Sequence, residues 1–298
     1  MRATRRALIL MAGAATFFGL MAFSAKLASA RLSGAQVAMV RFTIGLLPPL
    51  LIARYRRSAL TFQRVDLLIY RGLFGGLAVL LYFLAIEHTS VGVATLLNYT
   101  APLFSGIFSL LFIDERISPR VLIPMPVALL GVFLVVHAHA RPEDVLGFGR
   151  WELAGLGSAL CSGVAVTAMR AARRGENSWA VYTSFCLFGV LVTAPMGIAQ
   201  WRNPSPDEWM ALAGTSLFAI AAQLLTFSLR WVDAMTVGVI SQLAVLISMA
   251  LGAQFLAERI TPMAAVGALL SISGVVGVVY VTSLSKPAAT PAEVVPEA

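Results

Sequence analysis

Ten apolar stretches, each near the length that crosses a lipid bilayer, constrain this chain more than any other feature. A membrane-spanning helix needs about 20 mostly apolar residues to cross a hydrocarbon core of about 30 Å. In this chain of 298 residues, the stretches lie at 7–28, 35–53, 67–86, 91–113, 119–138, 152–171, 178–199, 209–229, 234–256 and 262–283. We number them spans 1 to 10. They are apolar on all sides, which predicts helices and an all-α polytopic membrane protein.

Composition and charge support the same interpretation. Hydrophobic residues make up 59% of the chain and charged residues only 12%, whereas soluble domains carry about 25% charged residues. The net charge of +8 suggests a nucleic-acid partner, but the positions of the basic residues along the chain are better explained by membrane topology. With the N-terminus in the cytoplasm, 15 basic residues, Arg71 among them, fall on that side, 6 fall on the other, and Arg41 lies within span 2. Because cytoplasmic loops are rich in Lys and Arg, we expect both termini in the cytoplasm and no nucleic-acid partner.

The two ends of the chain need separate comment. Arg5 and Arg6, an apolar run and Ala28-Ser29-Ala30 resemble a signal peptide with a cleavage site. The run is long enough to span the membrane, and cleavage would leave nine spans, so we expect span 1 to be retained. The Pro- and Ala-rich residues 285–298 are expected to form a disordered cytoplasmic tail.

An internal repeat divides the chain into two halves. Residues 114–119, Asp-Glu-Arg-Ile-Ser-Pro, match residues 257–262, Ala-Glu-Arg-Ile-Thr-Pro, at an offset of 143 residues. The offset predicts a first repeat at 1–140 and a second at 141–284, each with five spans. Because five is odd, the two repeats must cross the membrane in opposite senses. Such inverted-topology repeats are typical of secondary transporters, which bind solute near the midplane between the halves.

These motifs resemble those of a known family. The paired Glu-Arg-Ile-Ser/Thr-Pro segments, Pro102 in span 4 and Arg41 early in span 2 are similar to those of the drug/metabolite transporter superfamily, in its ten-helix EamA-type exporter branch. The resemblance covers about residues 7–283. It implies export or exchange of small solutes such as amino acids, metabolites or cationic drugs across a bacterial inner membrane. One departure is Val245, which stands where the family commonly has the proline equivalent to Pro102.

Polar residues at membrane depth predict where a solute binds. Pro102 cannot donate a backbone hydrogen bond to the carbonyl of Asn98, and polar groups at this depth must find partners or line a wet cavity. We therefore predict a central cavity lined by spans 3, 4, 8 and 9; bonding between packed helices is the alternative. Its predicted lining residues are Tyr82, Asn98, Thr100, Tyr99, Gln223, Thr226, Ser241 and Gln242.

The few charged residues near the spans allow more than one interpretation. Arg41 is an entrance charge that either attracts a carboxylate or extends to the interface. Lys26, nearer a helix end, is expected to extend to the interface. The repeat motif residues Glu115 and Arg116, with Glu258 and Arg259, are expected to form local ion pairs in tight turns; proton coupling is the alternative. Ser118 and Thr261 are expected to cap the helices that follow.

The absent motifs also limit function. There is no phosphate-binding GxxxxGK[ST] loop, and the only lysines are Lys26 and Lys286, which argues against an ATP-driven pump. No catalytic triad, metal cluster or cofactor motif is evident, so we expect neither an enzyme nor a bound cofactor. The sequence favours a secondary transporter that exports amino acids or related amphipathic metabolites or drugs by alternating access. Uptake or exchange of a nucleotide-linked or vitamin-like metabolite remains an alternative, as does a channel. A monomer is sufficient for transport, and the oligomeric state is open.

Overall fold

All ten predicted spans can be traced in the structure. The computed structural model describes residues 2–55, 63–113, 120, 123–138, 149–172, 177–228 and 240–284, and these residues form helices without a strand. The helices of spans 1 to 10 are Arg2–Ala28, Gly34–Gly45 with Leu47–Tyr55, Val65–His88, Val91–Asn98 with Ala101–Ile113, Pro124–His137, Arg150–Ala172, Ser178–Ala199, Pro206–Ser228, Leu243–Phe255 and Pro262–Leu284. Within these described residues, eight spans are long and apolar enough to cross a membrane, and the helices of spans 5 and 9 are shorter and apolar.

Prolines account for interruptions in spans 2 and 4. Span 4 breaks at Tyr99 and Thr100, as Pro102 predicts, and the amide of Leu103 turns to the carbonyl of Thr100 at 2.9 Å. Span 2 breaks at Leu46, which the sequence analysis did not predict. There Pro48 and Pro49 have no N–H to continue the helical hydrogen bonds.

Span 9 is also interrupted, although Val245 replaces the proline that is common at this position. Helical geometry gives way to a turn at Gln242, and the amide of Val245 bonds the carbonyl of Gln242 at 3.1 Å. The resulting tight turn lies immediately before the helix Leu243–Phe255. The earlier part of span 9, residues 229–239, lies outside the described residues.

The contact between spans 5 and 10 shows directly that the two repeats are inverted. A side chain added at Gly131 would overlap Ser271, and one added at Gly274 would overlap Ala128. Since Ser271 and Gly274 are the repeat equivalents of Ala128 and Gly131, the two contacts are the same contact made twice, as a two-fold axis requires. The partner numbers rise on one helix as they fall on the other, so these equivalent helices run antiparallel.

The other contacts between the halves also occur in pairs that the repeat relates. Span 1 packs on spans 8 and 9, and its equivalent, span 6, packs on spans 3 and 4. Spans 2 and 8 contact each other, as do their equivalents, spans 7 and 3. Span 4 meets its own equivalent, span 9. The structure is therefore a ten-helix bundle with pseudo-two-fold symmetry, and spans 4, 5, 9 and 10 meet their equivalents at the axis.

Side-chain caps fix several helix starts. Ser33 and Ser90 accept hydrogen bonds from the amides three residues on, and Asn177 accepts from two amides at the start of span 7. Thr261 accepts from the amide of Ala264 at 3.1 Å, which confirms the predicted cap. Ser118 lies outside the described residues. These caps satisfy amides that have no partner within the helix.

The close approach of spans 5 and 10 yields a stability prediction. Gly131→Ala places a methyl group against the backbone of Ser271 and Gly267, and overpacking of this kind costs about 1–3 kcal/mol. Gly106→Ala is the matched control, because no atom lies near its added methyl group and the gain in helix propensity is the same. Thermal unfolding in detergent should show a lower melting temperature for Gly131→Ala than for Gly106→Ala. Equal melting temperatures would contradict the close contact.

Candidate solute-binding site

Buried hydroxyl groups join spans 3 and 4 beside the break in span 4. The hydroxyl of Tyr82 lies 2.8 Å from Oγ1 of Thr95, and both residues are buried. Thr95 in turn donates to the carbonyl of Val91 at 2.7 Å. Because a threonine hydroxyl has a single proton, Tyr82 is the donor in the first bond. The predicted site residue Tyr82 is thus held against span 4.

Tyr99 and Gln242 meet at the centre of the molecule. The amide nitrogen of Gln242 lies 3.4 Å from the carbonyl oxygen of Tyr99, and the two residues are separated by the repeat offset of 143 positions. Equivalent residues can contact each other only near the axis that relates them. The carbonyl of Tyr99 is available because the amide of Leu103 bonds Thr100 instead. The axis between the halves therefore passes close to two predicted site residues.

Asn98 and Thr100 have partners within the described part of the protein. Nδ2 of Asn98 donates to the hydroxyl of Ser158 on span 6, and Thr100 donates to the carbonyl of Leu97 at 2.6 Å. These bonds join packed helices or close a turn, as the alternative interpretation anticipated. A cavity role for either residue stays a prediction.

The predicted residues on span 8 lie apart from this cluster. Thr226 donates to the carbonyl of Ala222 in its own helix at 2.8 Å, and Gln223 is half-buried. Span 8 packs mainly on spans 1 and 2. Ser241 is half-buried beside Gln242. The structure thus brings Tyr82, Tyr99 and Gln242 towards the centre, while no contact joins Gln223 or Thr226 to them in the described regions.

Arg41 is buried between spans 2 and 7, and its role as an entrance charge stays a prediction. Its side chain is 9% exposed, and its guanidinium carbon lies 4.8 Å from the ring centre of Phe42 and 5.6 Å from that of Phe185 on span 7. A second arginine, Arg71 on span 3, lies 4.1 Å from the same Phe185 ring. Sequence reasoning grouped Arg71 with the cytoplasmic loops. Its position inside the apolar run 67–86 was the feature that could have identified it.

Lys26 stabilises the end of span 3, and its extension to the membrane interface stays a prediction. Its ammonium group donates to the carbonyls of Ile86 at 2.8 Å and Thr89 at 2.7 Å. The carboxylate of neighbouring Glu87 accepts from the amide of Gly34 at the start of span 2, at 2.7 Å. Charged side chains therefore satisfy backbone groups at the ends of spans 2 and 3, where helices lack internal partners.

Glu258 contacts the other half of the molecule rather than its neighbour Arg259. Its carboxylate accepts from the amide of Val91 at 2.9 Å, which satisfies the start of span 4. Within the described residues it forms no ion pair with Arg259, so the expected local pair was wrong for this repeat. Glu115 and Arg116 lie outside the described residues. A cavity of about 20 Å³ adjoins Glu258, Ser90 and Met249.

The loops at this same end are joined across the halves. Arg31 pairs with Glu208 at 2.6 Å, and this bond raises the pKa of the Arg31 guanidinium. The side chain of Gln36 donates to the carbonyl of Arg202 at 2.7 Å and accepts from its amide at 3.0 Å. Together with Lys26, Glu87 and Glu258, these bonds tie one end of the bundle together.

The family match follows the two repeats. The model of the EamA-like transporter family matches residues 5–137 and again residues 149–280. The chain belongs to this family. The chain is also similar to the pseudopaline exporter CntI of Pseudomonas aeruginosa, with 30% identity over 218 residues, which are 72% of this chain and 75% of the relative. It resembles the threonine/homoserine exporter RhtA of Escherichia coli at 27% identity, over 80% of this chain and 79% of the relative.

A solved structure supports the fold. One protein of known crystal structure matches this chain with a TM-score of 0.64 and 21% sequence identity, and the match covers 92% of this chain and 97% of the other. The family and its exporters identify this chain as a multi-pass membrane transporter of small solutes.

Substitutions at Glu258 distinguish a structural role from proton coupling. Glu258→Gln keeps an oxygen that can accept from the Val91 amide, whereas Glu258→Ala leaves that amide without a partner at a cost of about 0.5–2 kcal/mol. We expect a lower melting temperature for Glu258→Ala and near wild-type stability for Glu258→Gln. If Glu258→Gln is stable but no longer transports in response to a pH gradient, the carboxylate proton is required and the purely structural role is wrong.

Proposed function

We propose that this protein exports amino acids or related amphipathic metabolites from the bacterial cytoplasm as a secondary transporter, by alternating access. The contact between Tyr99 and Gln242 carries the proposal. It places the backbone of one half against a polar side chain of the other, close to the axis that relates them. In inverted-repeat transporters, solute binds at this kind of interface near the bilayer midplane.

The breaks in spans 4 and 9 support a binding role for the same region. An interrupted helix leaves backbone groups that are tolerated at membrane depth only when they are buried in protein or line a water-filled cavity. The breaks lie at Tyr99 and at its equivalent Gln242, with Tyr82 and Thr95 beside the first. Asn98, Thr100, Gln223, Thr226 and Ser241 complete the proposed lining in the conformations that open the cavity.

The bonds at one end of the bundle suggest how access is controlled. The proposed cytoplasmic termini place this end at the outer face of the inner membrane. There Glu258 links the second repeat to Val91, and Arg31 and Gln36 link the first repeat to Glu208 and Arg202. Opening to the outside would break these bonds as repeats 1–140 and 141–284 rock about the axis.

Flux in proteoliposomes tests this function directly. Purified protein is reconstituted, and labelled amino acids, amino-acid amides and organic cations are tested with and without a pH gradient. Saturable counterflow of an amino acid, at about 1–1,000 turnovers per second, is the expected result. Ionic current that does not saturate would replace the carrier with a channel. Transport of nucleotide-linked or vitamin-like metabolites alone would favour the alternative solute class.

Substitutions at the axis test its location. Tyr99→Ala and Gln242→Ala should lower counterflow at least tenfold while expression and monodispersity stay at wild-type levels. Gln254→Ala is the matched control, since Gln254 is exposed on the same span as Gln242. Counterflow is measured with the amino acid that gives the highest wild-type rate. Wild-type rates in both axis variants would remove the proposed cavity from this position.

A further inference from the structure

Two arginines inside the bundle share one aromatic ring. Arg41 on span 2 and Arg71 on span 3 both place their guanidinium groups near the ring of Phe185 on span 7, at 5.6 and 4.1 Å. Arg41 is buried and Arg71 is half-buried. A guanidinium group over an aromatic face is attracted to it, by about 0.5–2 kcal/mol. That attraction orients two like charges towards the same place, and it cannot neutralise them.

Neither arginine has an anionic partner in the described part of the chain. Among the described residues neither forms an ion pair or a hydrogen bond through its side chain, and the Nε atom of each is buried without an acceptor. Other basic residues differ: Lys26 has carbonyl acceptors and Arg31 has the carboxylate of Glu208. Unpaired charges inside a membrane protein are costly, and they mark pathways or ligand sites.

The surrounding glycines make room for this arrangement. A side chain on Gly75, one turn after Arg71, would overlap the Arg71 guanidinium and the Phe185 ring. A side chain on Gly45, one turn after Arg41, would press on the hydroxyl of Tyr182 and the thiol of Cys186. Glycine at these positions therefore lets spans 2, 3 and 7 approach closely around the guanidinium groups and the Phe185 ring. Tight helix packing alone would be served equally well by apolar side chains at positions 41 and 71.

We propose that Arg41 and Arg71 bind a carboxylate group of the transported solute. This inference rests on the proposed transport function and narrows its solute class. Guanidinium groups present planar pairs of N–H donors that match the two oxygens of a carboxylate. A bound carboxylate supplies the acceptors that the two Nε atoms lack and offsets two positive charges. Organic cations without a carboxylate are excluded from the site by the same charges.

The position of Arg41 connects this carboxylate site to the axis. Span 2, which carries Arg41, packs on span 3, and Tyr82 on span 3 bonds Thr95 next to the break in span 4. A solute held by its carboxylate at the arginines can therefore extend its remaining polar groups towards Tyr82 and the axis. Two cations at one end and neutral polar groups at the other suit an amphipathic carboxylic acid.

Ligand-dependent stability in detergent tests the inference separately from transport. The melting temperature of purified protein is measured with each of the common amino acids and with the corresponding amino-acid amides. A ligand that binds only the folded state raises the melting temperature as its concentration exceeds its Kd. We expect stabilisation by at least one amino acid and none by its amide. Equal stabilisation by acid and amide, or no stabilisation by any acid, would overturn the inference.

Arginine variants locate the binding. Arg41→Gln and Arg71→Gln should each lower the affinity for the stabilising amino acid about 10- to 100-fold, since each removes charge-assisted hydrogen bonds. Arg150→Gln is the matched control, because Arg150 also lies over an aromatic ring, that of Trp151 at 4.7 Å, but is exposed at a helix end. Without ligand, the two core variants should be at least as stable as wild type, since each removes an unpaired charge. Loss of unliganded stability with unchanged affinity would show that the arginines only support packing.

Three further outcomes separate this inference from lipid binding and from the proposed transport function. If phosphatidylglycerol, but no amino acid, gives the arginine-dependent stabilisation, the site binds a lipid headgroup and the inference is wrong. If the proteoliposomes transport only cations or amides, the protein is still a carrier and the carboxylate site alone is wrong. If amino acids stabilise the protein through Arg41 and Arg71 but no solute is transported, the carboxylate site stands and the transport function fails.

Discussion

The hydrocarbon core of a membrane offers no water to satisfy polar groups, and this structure depends on that constraint. Every backbone amide and carbonyl must find a partner inside the protein, so the chain is helical wherever it is apolar. Where helices end or break, side chains take over. Lys26 donates to a carbonyl at the end of span 3, Glu258 accepts from the first amide of span 4, and Gln242 donates to the carbonyl of Tyr99. Several of these bonds cross between the repeats, so the groups that complete the helices also join the halves.

The two-fold relation brings spans 4, 5, 9 and 10 together at the axis. Spans 5 and 10 pack through reciprocal glycine contacts and form a fixed seam on one side of the axis. Spans 4 and 9 meet on the same axis, but they are broken there and carry polar residues. This arrangement allows the close contact between spans 5 and 10 to stay packed while the broken, polar spans 4 and 9 rearrange. The bonds at one end would then set which side is closed.

The sequence predicted the fold well because its periodic features are strong. The positions of the spans follow from the lengths of the apolar stretches. The inversion of the repeats follows from the odd number of spans in each, and the break in span 4 follows from the missing N–H of Pro102. The contacts between distant residues could not be derived in this way. Glu258 looked like half of a local ion pair because Arg259 is its neighbour, but the start of span 4 lies closer in space. The break in span 9 could not be predicted from a proline, because the tight turn at Gln242 forms without one.

The site was only partly predictable for a related reason. Tyr82, Tyr99 and Gln242 were predicted because polar residues in apolar runs are conspicuous. Thr95, which bonds Tyr82, and Ser158, which bonds Asn98, were not predicted, because small hydroxyl residues are common in packed helices. Arg71 was counted with the cytoplasmic loops because a basic residue near a helix start usually orients the chain. Its pairing with Arg41 becomes visible only when span 7 brings Phe185 between them.

Accessibility of the axis from the two sides of the membrane tests the central claim most directly. Cys161 and Cys186, both free and buried, are replaced by alanine, and Ser241→Cys introduces a thiol beside Gln242. Membrane-impermeant thiol reagents are then applied to one face or the other of oriented proteoliposomes. Alternating access predicts labelling from each face in turn, slowed by the transported amino acid. A thiol that reacts from neither face under any condition would show that the axis is packed interior and would contradict the account.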